Sequence, residues 1–272
     1  YRNNGEAAKG EEVLRRLVEI QKEIPKQMLP IKMEFDVSGV NANIDENMAG
    51  LTFEESIIRL TQMVSFPKKD DIKAKFYKEC SDSPISHIFG KNLVNASGQT
   101  VLALKPLNFN DPEADLELLD LYLHQKVLEE QRISGDVWLK YSFYYIRKNY
   151  EFELSDLNFL VCDNPIIPMG RENIFRSAIY MVLKGQYYEA MHILAPQVEN
   201  LFRNIAKEVG GLTITLDNDG ASKEKVLKSI FDLPELLDCY DNDILFLFKG
   251  LLNEQAGANI RNEIAHGITS EY

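Results

Sequence analysis

YYEAMHILAPQVENLFRNIAKEV, residues 187–209, is the longest periodic stretch of the chain, and its reading sets the fold class. Ala190, Ile193, Leu194, Val198, Leu201, Phe202, Ile205 and Val209 recur every three or four positions, the interval at which one face of an α-helix returns. The spacing predicts a long amphipathic helix that ends at Gly210-Gly211. Pro196 removes one backbone donor inside it, so a kink is expected there.

Working outward, residues 172–184 predict a second helix that stops at Gly185, a natural left-handed cap. Residues 11–24 carry apolar positions at helical intervals and are closed by Pro25 and Pro30. Thr52 followed by Glu55 is a capping-box pattern, and Ile57, Ile58, Leu60 and Val64 supply the apolar face behind it. Residues 116–130 and 137–148 also read as helices. The second is rich in aromatics (Trp138, Tyr141, Phe143, Tyr144, Tyr145), which a helix packed into a core needs more often than a base-stacking surface does. Downstream, helices are expected over 223–231, 243–252 and 260–266. Residues 33–40, 101–104 and 212–216 read as short extended or irregular pieces, and Asp217-Asn218-Asp219-Gly220 as a turn. The class is therefore all-α. Asp163-Asn164-Pro165 and Pro168-Met169-Gly170 cannot continue a helix. They predict a division into a helical N-terminal region, 1–165, and a C-terminal helical bundle, 166–272.

The 272 residues are 45% hydrophobic and 26% charged, which suits a globular chain rather than a disordered one. The net charge of −12 argues against coating nucleic acid by bulk charge, since phosphate contacts need clustered Lys and Arg, yet a local basic cleft remains compatible with it. Acidic residues gather between Asp111 and Glu130, as on a solvated helix face. No apolar run approaches the length of a membrane span. Cys80, Cys162 and Cys239 are odd in number and far apart, the pattern of reduced thiols in a cytoplasmic protein. Asn95-Ala96-Ser97 matches a glycosylation sequon, a motif short enough to arise by chance.

GxGxxG, P-loop, GxSxG and HExxH motifs are absent, and His87, His124, His192 and His266 do not have zinc-site spacing. Neither a metal nor a cofactor is implied. What carries chemistry is Asn259-Ile260-Arg261-Asn262-Glu263-Ile264-Ala265-His266-Gly267. At about 100° per residue, Ile260, Ile264 and Ile268 form one stripe that must bury, while Asn262 and His266 stack away from it. Arg261 stands at the edge, about 140° round the helix from His266. An Arg offers a planar fork to phosphate oxygens, and an imidazole moves a proton near neutral pH. A plainer account also fits: Asn259 caps a helix whose Arg261 and His266 meet solvent, or Arg261 pairs with a carboxylate. Glu199 and Arg203, four apart on the long helix, make either an i,i+4 surface pair or the support of Arg261.

This segment resembles the RNxxxHG signature of a domain family of the HEPN type (higher eukaryotes and prokaryotes nucleotide-binding). Leu194-Ala195-Pro196-Gln197-Val198-Glu199-Asn200-Leu201-Phe202-Arg203 is similar to that family's long-helix pattern. Leu183-Lys184-Gly185 and Phe248-Lys249-Gly250-Leu251-Leu252 fall in the expected order, so the likeness covers about 173–267 and leaves 1–165 without a counterpart. The resemblance implies a small helical bundle, often dimeric, in which the Arg and His of two protomers meet across a cleft and cut RNA without a metal. It also implies a further helix after the signature. On that basis the expected function is a metal-independent endoribonuclease or RNA-binding HEPN protein, in RNA degradation or defence. Arg261 would steady the phosphate, His266 would act as general acid or base, and Asn262 would hold the site, with Glu199 and Arg203 in support. The expected partners are RNA, a second copy, and a protein partner for the N-terminal region. The alternative is a non-catalytic dimerisation and protein-interaction module, since some members of the family only bind or dimerise.

Overall fold

A computed structural model describes residues 7–29, 34, 36–83, 89–95, 98–108 and 111–269. Helices take 65% of the chain, and among the described residues the strands make two short antiparallel hairpins, so the class is all-α. In order, the main elements are α1 (Ala7–Gln21), α2 (Ser38–Met48), α3 (Phe53–Met63), α4 (Lys69–Asp82), β1 (Lys91–Val94), β2 (Thr100–Leu104), α5 (Leu116–Ser134), α6 (Lys140–Asn149), α7 (Glu172–Lys184), α8 (Tyr187–Glu208), β3 (Ile214–Leu216), β4 (Ser222–Glu224), α9 (Leu227–Phe231), α10 (Pro234–Cys239), α11 (Asn242–Leu252) and α12 (Ile260–Ala265). A π-helical turn, Gly135–Leu139, joins α5 to α6.

Two compact units emerge, one from 1–35 and 77–122, the other from 36–76 and 123–272. The division expected at 165/166 falls inside the larger unit. Its physical reason is α7: Leu183 shares a core with Ile44, Met48, Ile57, Leu60, Ile146, Phe152 and Leu157, so residues on both sides of the Pro-rich segment bury one another. In the smaller unit β1 pairs with β2, Cys80, Leu104, Leu107, Leu119 and Tyr122 are buried, and the Tyr122 hydroxyl donates to the Lys105 carbonyl at 2.8 Å. Helix α1 buries none of its side chains; Val13, Leu14, Leu17 and Ile20 are all exposed.

The larger unit holds two cores. Trp138, Tyr141, Phe143 and Tyr145 pack against the first, so the aromatic helix serves the interior, while Tyr144 is exposed. The second is built by Phe202, Ile205 and Ala206 of α8 with Leu227, Ile230, Phe231, Leu233, Leu236, Leu245 and Leu252, and Val198 and Leu201 lie against it. That core fixes α8 relative to α11, and α12 lies against both helices. The left-handed cap at Gly185 is present (φ 84°), and α8 continues through Pro196.

Several expectations change. The stretch 33–40, expected to be extended, enters α2 at Ser38, and helix α4 was not anticipated. The helix expected over 223–231 starts only at Leu227, because residues 222–224 form β4, paired with β3 in the register Ile214↔Glu224. His87, Ala96 and Ser97 lie outside the described residues.

The capping box at α3 is complete: the Glu55 amide donates to Thr52 Oγ1 at 3.3 Å, and the Thr52 amide donates to Glu55 Oε2 at 2.7 Å. Thr52→Ala is expected to cost about 1 kcal/mol. Urea unfolding measures this, and an unchanged midpoint would mean the cap contributes nothing.

Candidate functional site

Helix α12 is short because both of its ends are set by backbone. Gly257 permits the entry: a Cβ there would sit 2.1 Å from the Gly250 carbonyl oxygen, so nothing larger fits where the chain crosses α11. Asn259 follows with φ 51°, a left-handed conformation that Asn tolerates better than most residues. Its side chain caps no backbone amide, contrary to the simple capping account; its Oδ1 accepts from Asn262 Nδ2 at 2.6 Å.

At the other end, Gly267 has φ 63°, its amide donates to the Ile264 carbonyl, and the Ile268 amide donates to the Glu263 carbonyl. These two bonds form a Schellman motif. The glycine of the signature therefore terminates the helix and leaves His266 as its C-cap, with an exposed imidazole. The turn also removes Ile268 from the helical stripe: Ile260 and Ile264 are half-buried, but Ile268 is 50% exposed.

Glu199 reaches α12 from α8. Its Oε2 accepts from Arg261 Nε at 2.8 Å, and its Oε1 accepts from Arg203 Nη2 at 2.7 Å. Arg261 Nη1 donates to Asn262 Oδ1 at 3.1 Å, so the guanidinium is held at two of its nitrogens while its side chain stays 39% exposed. Glu199 and Arg203 are only 13% and 14% exposed, so this is no loose surface pair. Burial alone would push the Glu199 carboxyl upward, yet the hydrogen bonds and charges of Arg203 and Arg261 outweigh it and hold the group below the ordinary carboxylate range. Arg261 is thus aimed by a carboxylate 62 positions away, and Asn262 is locked between Arg261 and Asn259.

The structure brings Arg261, Asn262, Glu199 and Arg203 into one connected network and places His266 one helical turn beyond it, in solvent. His192 is engaged elsewhere, with its Nδ1 2.8 Å from the carbonyl oxygen of Tyr188. Two participants were not anticipated. Glu224 on β4 contacts Arg203 Nη1 at 3.3 Å and Lys207 Nζ at 3.6 Å. Their involvement depends on the β3–β4 hairpin, which no local signal in 222–224 distinguished from the start of a helix. A scan against family models matches none of them, and searches among curated proteins and solved structures return no similar protein.

Proposed function

We propose that the Arg261–His266 segment is an RNA site of the HEPN type and that the protein is a metal-independent endoribonuclease, in RNA degradation or defence in the cytoplasm. The observation that carries the reading is the state of Arg261. Two of its guanidinium nitrogens, Nε and Nη1, are fixed by Glu199 and Asn262, and the side chain remains open to a ligand. A pre-aimed cation of this kind suits the charge that develops on a phosphoryl group in a transition state. The exposed imidazole of His266 supplies a group for proton transfer.

The cheapest nucleophile is the ribose 2′-hydroxyl, already held next to the phosphorus. Its oxygen bonds to phosphorus as the bond to the 5′-oxygen breaks. An imidazole takes the 2′ proton, and a protonated imidazole supplies one to the leaving oxygen. Within one copy Arg261 and His266 diverge by about 140° and are separated by about 7.5 Å of helix rise. A two-fold dimer that apposes two α12 segments would place the Arg of one copy by the His of the other.

The test is incubation of the protein with mixed single-stranded RNA, with and without EDTA. Fragments ending in 2′,3′-cyclic phosphate, formed equally in EDTA and not from DNA, are the expected result. Abolition by EDTA would overturn the metal-independent reading. The second reading, a non-catalytic dimerisation and protein-interaction module, is favoured by α1, whose exposed apolar positions Val13, Leu14, Leu17 and Ile20 suit a protein partner. Intact RNA under every condition would select it.

A further inference from the structure

We propose that Arg203 and Lys207 form a second phosphate subsite for single-stranded RNA beside Arg261, and that in the free protein the carboxylate of Glu224 fills it. The proposal rests on the nucleic-acid reading above and adds to it a ligand position and the group that competes for it.

Charges alternate along this part of the larger unit: Arg261, Glu199, Arg203, Glu224, Lys207, each in contact with the next. The two carboxylates are not equivalent. Glu199 is 13% exposed and accepts at 2.7 and 2.8 Å, as short charge-assisted hydrogen bonds do. Glu224 is 51% exposed, and its contacts are 3.3 and 3.6 Å long. The contact with Lys207 is exposed on both sides and contributes little, and at 3.3 Å the half-exposed Glu224 holds Arg203 less closely than Glu199 does. Glu224 also hangs on a hairpin with three paired positions, Ile214↔Glu224, Thr215↔Lys223 and Leu216↔Ser222. A two-stranded ribbon that small holds its shape weakly, so displacing a side chain at its end costs little.

The cations it covers are well placed for a strand. Arg203 is itself buried against Glu199, which fixes its fork, while Lys207 is 52% exposed and acts as a mobile point charge. They lie one helical turn apart on α8, about 6 Å, the order of separation between successive phosphates of a single strand. A phosphodiester carries one negative charge shared over two acceptor oxygens, as does the carboxylate it would replace. RNA entering at Arg261 would therefore extend along α8 by exchanging its phosphate for Glu224.

The experiment is fluorescence anisotropy with a labelled 2′-O-methyl oligouridylate, which cannot be cut through its own 2′ position, over a range of salt. Glu224→Gln should bind about two- to fivefold tighter, the value of one exposed ion pair. Its log K against log salt should steepen by about 0.7, as for one added phosphate contact on a single strand. Glu208→Gln makes the same charge change on an exposed neighbour of Lys207 and should reproduce neither effect. Adding Lys207→Gln to Glu224→Gln should erase the gain. Equal affinity for parent and Glu224→Gln overturns the subsite while the parent's binding leaves the RNA reading standing. A gain matched by Glu208→Gln, or one that survives Lys207→Gln, overturns it as a bulk charge effect. If no protein binds the probe even at low salt, the RNA reading falls and takes the subsite with it.

Discussion

Lowering the pH from 6.5 to 4.5 should destabilise the folded protein by roughly 2 kcal/mol through His124 alone. His124 is 3% exposed and stacks on Phe246 with ring centroids 4.0 Å apart. Its Nδ1 has no hydrogen-bond partner among the described residues, and a methyl group at Gly250 would sit 2.6 Å from it. Burial disfavours the imidazolium, and Lys249, Lys69 and Lys228 repel it from α11, α4 and α9, so its pKa is pushed down from 6.5 to about 3. The carboxylates Asp232 and Glu254, which pair with Lys249 and Lys228, leave that net effect in place.

Between those two pKa values the unfolded chain binds the proton and the folded chain does not. Stability is therefore full above pH 6.5 and falls as the pH drops, by about 5 kcal/mol in total if the fold persists below pH 3. Urea unfolding at pH 6.5, 5.5 and 4.5, most of which lies above the carboxylate range, isolates the histidine. His124→Phe should lose about 2 kcal/mol less than the parent over that interval. Parallel losses in both proteins would contradict the assignment, as would a His124 ring resonance that titrates above pH 5.

What the sequence made legible and what it hid divide along physical lines. Helix α8 was legible because its core positions repeat at the helical period, and the caps at Thr52 and Gly185 because each is a local backbone requirement. Helix α2 was hidden by its composition: Gly39, Asn41, Asn43 and Asn47 are poor helix formers, and two buried anchors, Ile44 and Met48, hold it. Helix α4 buries Ile72, Phe76 and Cys80 at intervals of four, a stripe diluted by its lysines and acids. Strand β4 reads as helix in the sequence because Leu227, Ile230 and Phe231 set a helical rhythm that runs back across it, and only pairing with β3 decides otherwise. The unit boundary depends on which distant segments share a core, and the breakers around residues 163–170 carry no such information.

The candidate site shows the same contrast. Asn262 and Arg261 could be placed on one helix by counting, and Glu199 on a facing helix by the same argument. Counting could not show that Gly267 ends α12 and projects His266 outward, nor that a hairpin brings Glu224 to Arg203. Two groups therefore entered the electrostatic setting of the site only with the fold: Glu224, an exposed carboxylate against Arg203, and Lys207, which it also contacts.

On the proposed reading, His266→Ala should slow RNA cleavage by roughly 10²–10⁴-fold, the usual cost of losing a proton-transfer group. The substitution removes an exposed imidazole at a helix C-cap whose backbone bonds, His266 amide to Asn262 carbonyl and Gly267 amide to Ile264 carbonyl, do not involve the side chain. Folding should be preserved, and thermal unfolding of the variant checks that. Arg261→Lys should cost on the order of 10²-fold or more although it keeps the charge. A lysine cannot offer both a donor to Glu199 Oε2 and a planar fork to phosphate, so the cation loses its aim. If the site is shared between copies, mixing His266→Ala with Arg261→Lys should restore part of the activity, because one of the two composite sites in a mixed dimer then carries both native residues. Equal cutting by parent and His266→Ala removes His266 from the mechanism. Strong loss in each variant without recovery on mixing, where subunit exchange is verified, excludes a site completed by one Arg261 and one His266 from different copies.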